Sequence, residues 1–283
     1  MIEIRTPYGN IPYKIIHYPD HTQKIDFERV FTEFPDPDKA YIAWKGYPGD
    51  EELVTLIYLT KHLQNVWGVN PGLQMDYIPN ARMDRVKNNC EVFTLKYFCD
   101  IINSLGFKYV EVLDPHSNVA PALLDRVRVV DASNYITQAI RHIRVVKGEK
   151  DLFLYFPDEG ALKRYGDMFP DYQHLVGRKV RDWATGEIKG LGIDCHCQIP
   201  EHAAVLMIDD IISYGGTLAY SADKLKELGF EHIYAYASHV ENSLLDKEKS
   251  TLWKRLEDGI VDMVFTTDSL LTESNYLVNV TRL

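Results

Sequence analysis

No apolar run in the chain approaches the roughly 20 residues that a helix needs to cross a bilayer. The N-terminus MIEIRTPYGN also lacks the basic-then-apolar pattern of a secretory leader. Together these absences predict a cytoplasmic protein with no membrane partner. Cysteine is scarce: Cys90, Cys99, Cys195 and Cys197 are too few and too oddly spaced for a disulfide framework. Cys195-His196-Cys197 is a dense spot, but no second ligand pair stands near it, so reduced thiols are expected there rather than zinc. Positive charge is also short, with 31 Lys and Arg against 41 Asp and Glu and a net charge of −10. A phosphate backbone would be repelled, which excludes a nucleic-acid footprint while leaving room for a local basic pocket. There is no low-complexity linker and no short-period repeat.

The 283 residues suffice for two medium domains. Residues 1–18 read as a hairpin around Pro7-Tyr8-Gly9-Asn10, and a buried strand is expected at 40–44. Asp50-Glu51-Glu52 then opens a helix whose Leu53, Leu56, Ile57, Thr60 and Leu63 share one face. A strand at 75–78, a helix at 89–105 closed by Gly106, and strands at 109–113 and 127–130 follow. The second half repeats this logic, with strands at 152–156, 173–176, 205–208, 232–237 and 262–265 alternating with helices. Such alternation predicts an α/β fold of two similar domains, 1–133 and 134–283, each a mostly parallel sheet flanked by helices.

The stretch Val205-Leu206-Met207-Ile208-Asp209-Asp210-Ile211-Ile212-Ser213-Tyr214-Gly215-Gly216-Thr217 carries the strongest chemical signal. Strand-type residues run into two carboxylates and then into glycines just where a helical pattern begins. Glycines let the backbone approach a phosphate, the first N–H groups of the helix point at the anion, and Thr217 can add a hydroxyl. Asp209 and Asp210 stand where open α/β sheets bind ligands and can hold ribose hydroxyls directly or through Mg²⁺. A plain strand-to-helix turn is the bland reading. The immediate succession of strand, paired Asp and Gly-Gly-Thr favours a sugar-phosphate grip.

Residues 177–190 hold four cations, two carboxylates and three glycines, the profile of an exposed hairpin or mobile loop. Such cations are out of keeping with an acidic chain. A lid that brings Lys179 and Arg181 onto a phosphate chain is the functional reading, and a solvated turn the bland one.

Four further stretches match one family in order. Tyr77-Ile78-Pro79-Asn80-Ala81-Arg82-Met83-Asp84-Arg85, Leu113-Asp114-Pro115-His116-Ser117, Phe156-Pro157-Asp158-Glu159-Gly160 and Lys179-Val180-Arg181 resemble motifs of the ribose-phosphate diphosphokinases, also called phosphoribosyl pyrophosphate synthetases. The resemblance spans nearly the whole chain and implies two phosphoribosyltransferase-like domains. It implies attack by an anomeric ribose hydroxyl on the β-phosphorus of ATP, with Mg²⁺ as cofactor and a homo-oligomeric assembly. It places Arg82, His116, Lys179 and Arg181 in catalysis and Arg82, Asp84 and His116 at ATP. His116 and Asp158 fall by the metal. Asp209, Asp210, Ser213, Tyr214, Gly215, Gly216 and Thr217 fall at the sugar phosphate. Tyr18 and Asp20 occupy the region of the family's adenine segment, where a ring can stack on the base, although His21-Thr22 replaces its Gly-Glu.

The chain departs from the family at the phosphate loop. Where the family reads Asp-Asp-x-x-Asp-Thr-Gly-Gly-Thr, this chain has Ser213 and Tyr214 before the glycines. A carboxylate and a small hydroxyl have become a hydroxyl and a ring, which suits an acceptor that continues beyond the phosphate. Phage-type members of the family are associated with ADP-ribose as acceptor. A phosphoribosyltransferase would share the loop but not the Arg82 and His116 segments. A silent nucleotide-binding regulator would have no reason to keep a cluster of like charges.

Overall fold

The computed structural model describes residues 1–28, 36–47, 49–181, 188–194, 198–273 and 275–283, with the backbone alone at 179–181, 188–191 and 194. The chain divides into two compact units, Met1–Val130 and Asp131–Leu283.

The first unit is built on a six-stranded sheet. Its strands are β1 (Ile2–Thr6), β2 (Gly9–Ile11), β5 (Tyr41–Trp44), β6 (Gly72–Met75), β7 (Val110–Leu113) and β8 (Val127–Val130), in the order β2-β1-β5-β6-β7-β8. β1 and β2 form the expected N-terminal hairpin, and β5 to β8 run parallel. A separate hairpin pairs β3 (Tyr13–His17) with β4 (Gln23–Phe27). The sequence reading ended its strand near Tyr18 and missed the returning β4, in which polar Gln23, Lys24 and Asp26 dilute the apolar pattern.

Helix α1 (Glu51–Trp67) buries Thr55, Leu56, Leu59, Thr60 and Leu63. It ends at Gly68, whose φ of 65° lets its N–H bond the Leu63 carbonyl, the usual glycine stop. Helix α2 (Thr94–Ser104) starts five residues later than the sequence suggested. Asn88 accepts from the Cys90 N–H and Glu91 from the Lys87 N–H, and such local bonds compete with helical ones. The strand expected at 75–78 lies earlier, at 72–75. Gly72 fits there because a Cβ would fall 2.3 Å from the Tyr109 ring. Short helix α3 (Val119–Leu123) completes the unit.

The second unit carries a seven-stranded sheet in the order β11-β10-β9-β12-β13-β14-β15. These are β9 (Leu152–Phe156), β10 (His174–Arg181), β11 (Ile188–Asp194), β12 (Ala204–Ile212), β13 (His232–Val240), β14 (Met263–Thr267) and β15 (Val278–Thr281). All run parallel except β11. Its helices are α4 (Ser133–Arg141), α5 (Glu159–Tyr165), α6 (Gly216–Glu227) and α7 (Thr251–Glu257).

Alternate residues of β12 serve opposite faces. Val205 and Met207 pack with Leu218 and Leu225 of α6 and Leu252 of α7, whereas Leu206 and Ile208 pack with Ile136 of α4 and Tyr165 of α5. Burial on both faces explains the unbroken apolar run. Each such side chain contributes about 1.5–3 kcal/mol by leaving water. Residues 177–181 lie in β10, paired with β11, so the cationic stretch is a hairpin at its base. The Lys179 and Arg181 side chains, residues 182–187, Cys195 and Cys197 lie outside what is described. Among the described residues no helix is long and apolar enough to cross a membrane.

Candidate active site

In the second unit the chain leaves β9 for β10 on one side and returns as β12 on the other. Ligands bind open parallel sheets outside the carboxyl ends of strands at such a reversal. Asp158 follows β9 and Asp209-Asp210 stand near the end of β12. The strand runs to Ile212 rather than stopping before the carboxylates, because Asp209, Ile211 and Ile212 continue the ladder with Ala237, His239 and Val240.

The next three residues make the loop. Gly215 has φ 71°, and a Cβ there would lie 2.3 Å from Leu252 Cβ, so only glycine fits. The Tyr214 carbonyl accepts the N–H groups of Thr251 at 3.1 Å and Leu252 at 3.3 Å, and also the Ser250 hydroxyl at 3.2 Å. The start of α7 thus clamps the loop backbone. Ser213 Oγ lies 3.1 Å from Ser243 Oγ, which donates to Glu241 at 3.1 Å. Tyr214 is 43% exposed. Beyond Gly215 the 12-residue α6 begins on an N-cap residue with no side chain to cap its N-terminal N–H groups. At Gly216 a Cβ would meet nothing nearer than Thr251 Oγ1 at 3.8 Å, so its outer side is open, and Thr217 beside it is exposed. Uncapped N–H groups on an open face are what an anion requires.

The carboxylates are held under electrostatic stress. Burial first, then the Asp210 charge and more weakly Asp158, push Asp209 well above the usual carboxylate range. Asp210 is buried, with Arg164 Nη1 of α5 at 3.5 Å from its Oδ2 and its own N–H on Asp209 Oδ1 at 2.9 Å. Asp158 caps α5, its Oδ1 accepting from Gly160 at 3.0 Å and Ala161 at 3.1 Å. Tyr155 hydroxyl sits 2.9 Å from Ser221 Oγ, which donates to the Thr217 carbonyl at 2.9 Å and ties β9 to the first turn of α6. Burial pushes the Tyr155 phenol up to about 12, with Asp158 and Asp209 adding to the rise. Gly177 allows this approach, since a Cβ would come within 2.3 Å of the Tyr155 oxygen.

The first unit places its candidates at the carboxyl ends of two neighbouring parallel strands. Arg82 and Asp84 follow β6, Arg82 exposed and Asp84 half-buried, just beyond Asn80 with φ 63°. His116 follows β7, half-buried, two residues after Asp114, which is 3% exposed and has φ 36°. Tyr18 and Asp20 lie in the turn of the β3–β4 hairpin. Tyr18 is half exposed, and Asp20 accepts the Thr22 hydroxyl at 2.7 Å and N–H at 3.0 Å, bonds that hold its carboxyl below the usual range. Among the described residues no three His, Cys, Asp or Glu gather as a metal cage. The sequence reading missed Tyr155, Arg164 and Ser221, whose roles come from contacts across the fold and leave no local pattern.

No protein-family model matches the chain. Curated relatives do. A ribose-phosphate pyrophosphokinase of Pyrococcus abyssi is 29% identical over 224 residues, covering 73% of this chain and 74% of its own. Ribose-phosphate pyrophosphokinase 2 of Archaeoglobus fulgidus is 26% identical over 251 residues, covering 84% and 83%. Among solved structures, phosphoribosylpyrophosphate synthetase from Mycobacterium smegmatis superimposes with a TM-score of 0.75 over 96% of this chain and 86% of that one, at 16% identity. The chain is therefore similar in sequence to ribose-phosphate pyrophosphokinases, and it has the fold of a phosphoribosylpyrophosphate synthetase.

Proposed function

We propose that the protein is a diphosphotransferase that moves the β,γ-pyrophosphate of ATP onto the anomeric hydroxyl of a ribose 5-phosphate moiety. The observation that carries this reading is the loop from Asp209 to Thr217. Two carboxylates stand at a strand end beside a glycine turn and an uncapped helix start, which suits a sugar hydroxyl pair next to a phosphate. In the reaction the anomeric oxygen bonds the β-phosphorus, the bond from that phosphorus to the α–β bridging oxygen breaks, and AMP leaves with the bridging oxygen. The hydroxyl proton is released. Chemistry of this kind depends on positioning and charge neutralisation. Asp209 and Asp210 orient the ribose hydroxyls, the N–H groups of 215–217 hold the 5-phosphate, and Arg82, Lys179 and Arg181 balance phosphate charge. His116 and Asp84 take the ATP side, with Tyr18 and Asp20 toward the base.

Mg²⁺ fits this donor set. It favours one or two carboxylates completed by substrate phosphates and water over an all-protein cage, and Asp209 and Asp210 at the end of β12 supply such a pair. In the second unit Asp158 and the Asp209-Asp210 pair are the groups that would hold it, the resemblance assigns His116 of the first unit to the metal as well, and the ion would neutralise the phosphate chain. We place the enzyme in the cytoplasm as a homo-oligomer with ATP and a ribose-phosphate acceptor as partners, without nucleic acid or membrane. The test is mass spectrometry of products after parallel incubations with ATP, Mg²⁺ and each acceptor. AMP formation that depends on acceptor supports the reading, and its absence with every ribose phosphate refutes it.

For the acceptor we favour ADP-ribose over ribose 5-phosphate, on the exposed Tyr214 ring. Its backbone is clamped by α7 and the residue is exposed beside the glycine turn, where a group attached beyond the phosphate would pass. A ring contact of this kind is worth about 1 kcal/mol. The reading in which free ribose 5-phosphate is the acceptor fits the named relatives no less well. Tyr214→Thr is expected to lower kcat/KM for ADP-ribose by about fivefold and to leave ribose 5-phosphate nearly unchanged. Equal loss with both acceptors, or far better use of ribose 5-phosphate by the wild type, would refute the choice of acceptor while leaving the pyrophosphokinase reading intact.

Lys179→Ala and Arg181→Ala are expected to cut kcat by about 10²-fold or more, as for loss of a charged contact to a transferring group, with Tm within a few degrees of wild type. A large fall in Tm with activity per folded molecule preserved would make the hairpin structural.

A further inference from the structure

A pocket of about 140 Å³ in the second unit, apart from the phosphate loop, has a composition of its own. Its floor is one rung of the sheet: Tyr236 of β13 stands in register with Phe265 of β14, which stands in register with Asn279 of β15. Helix α4 covers the Tyr236 and Phe265 end of the rung. β15 is the edge strand, and there the rung is left half open at Asn279. Tyr135 and Gln138 of α4 and His142 just beyond its end form the wall.

Two features suit a flat ring. Four aromatic residues line the pocket, Tyr236 and Phe265 buried in the sheet and Tyr135 and His142 half-buried, with His142 edge-on to Phe265 at 5.3 Å between centroids. At the opening, the Gln138 and Asn279 amides and the His142 ring nitrogens make no hydrogen bond to any described residue. Those groups bring both donors and acceptors to one pocket, as pairing with the edge of a base requires. The backbone is built for this spot as well, since α4 widens at His142 into a π-turn, His142–Lys147, a rare form that recurs at functional sites. Among the described residues no Lys, Arg, Asp or Glu lines the pocket, so none of them offers a phosphate a charged partner there. Its volume falls below the roughly 300–1,000 Å³ of sites for drug-sized ligands.

We propose that this pocket binds a neutral planar nitrogen heterocycle of nucleobase size, independently of the phosphate-loop site. The test is titration of the full-length protein with free adenine by calorimetry in the presence of excess ATP, which fills any ATP site, with ribose as the non-aromatic control. Saturable adenine binding that persists under ATP is expected, with Asn279→Leu and Gln138→Ala each weakening it about tenfold and ribose giving no signal. Gln138 is exposed, so its variant tests the site even if Asn279→Leu fails to fold. Absence of saturable binding, displacement by ATP, or unchanged affinity in folded Gln138→Ala would each overturn the assignment.

Discussion

Replacing Asp210 by Asn should lower kcat by about 10²–10³-fold, the 2–4 kcal/mol typical of one charged contact at a transition state, and leave the fold intact. The amide keeps the shape and removes the charge that orients a sugar hydroxyl or a cation. Stability should move the other way from activity as pH rises. Asp209 carries a raised pKa in the folded state, so its contribution to stability is full at low pH and is lost as pH climbs through that raised value. Part of the rise comes from the Asp210 charge. Without that charge Asp209 ionises more easily, so the variant should lose less Tm than the wild type as pH increases above the ordinary carboxylate range. The lost Arg164 contact at 3.5 Å is a separate cost of the substitution. Thermal melts across pH with initial rates on the same preparations check both halves. Wild-type turnover would remove Asp210 from the site, and parallel Tm curves would mean that the pair is not coupled.

The same carboxylates show how much of the candidate site can be read from the sequence. A buried parallel strand must be apolar on both faces, so two Asp at the end of Val205-Leu206-Met207-Ile208 are anomalous unless a ligand uses them. Gly215 was legible for a related reason, since a strand turning straight into a helix needs a residue with positive φ. Arg164 and Tyr155 were not. Arg164 reads as an ordinary cation on a short amphipathic helix, and only the fold brings it to Asp210. Tyr155 reads as a core aromatic, and only the β9–β12 pairing sets its hydroxyl against Ser221. Among elements, β4 and β15 went unseen because edge and hairpin strands are short and half polar. The start of α2 was misjudged because Asn88 and Glu91 act on the backbone through single hydrogen bonds that periodicity does not register.

The two glycines of the loop should separate structure from function. Gly215→Ala places a methyl 2.3 Å from Leu252 Cβ and forces an L-residue to φ 71°. The conformation alone costs about 1–3 kcal/mol, and relieving the clash must pull α7 off the Tyr214 carbonyl, breaking its bonds to Thr251 and Leu252. A fall in stability of about 3–5 kcal/mol is expected, near the limit for single substitutions, with a clear drop in the urea midpoint. Gly216→Ala meets nothing nearer than 3.8 Å and sits in the first turn of α6, where alanine favours the helix. Its Tm should hold or rise slightly. Its activity should nevertheless fall by about tenfold or more, because the methyl stands on the open side where the phosphate approaches the N–H groups. A Gly216→Ala enzyme with wild-type KM for its acceptor would show that no anion is bound at the start of α6. A Gly215→Ala protein as stable as wild type would show that the loop does not need the left-handed turn.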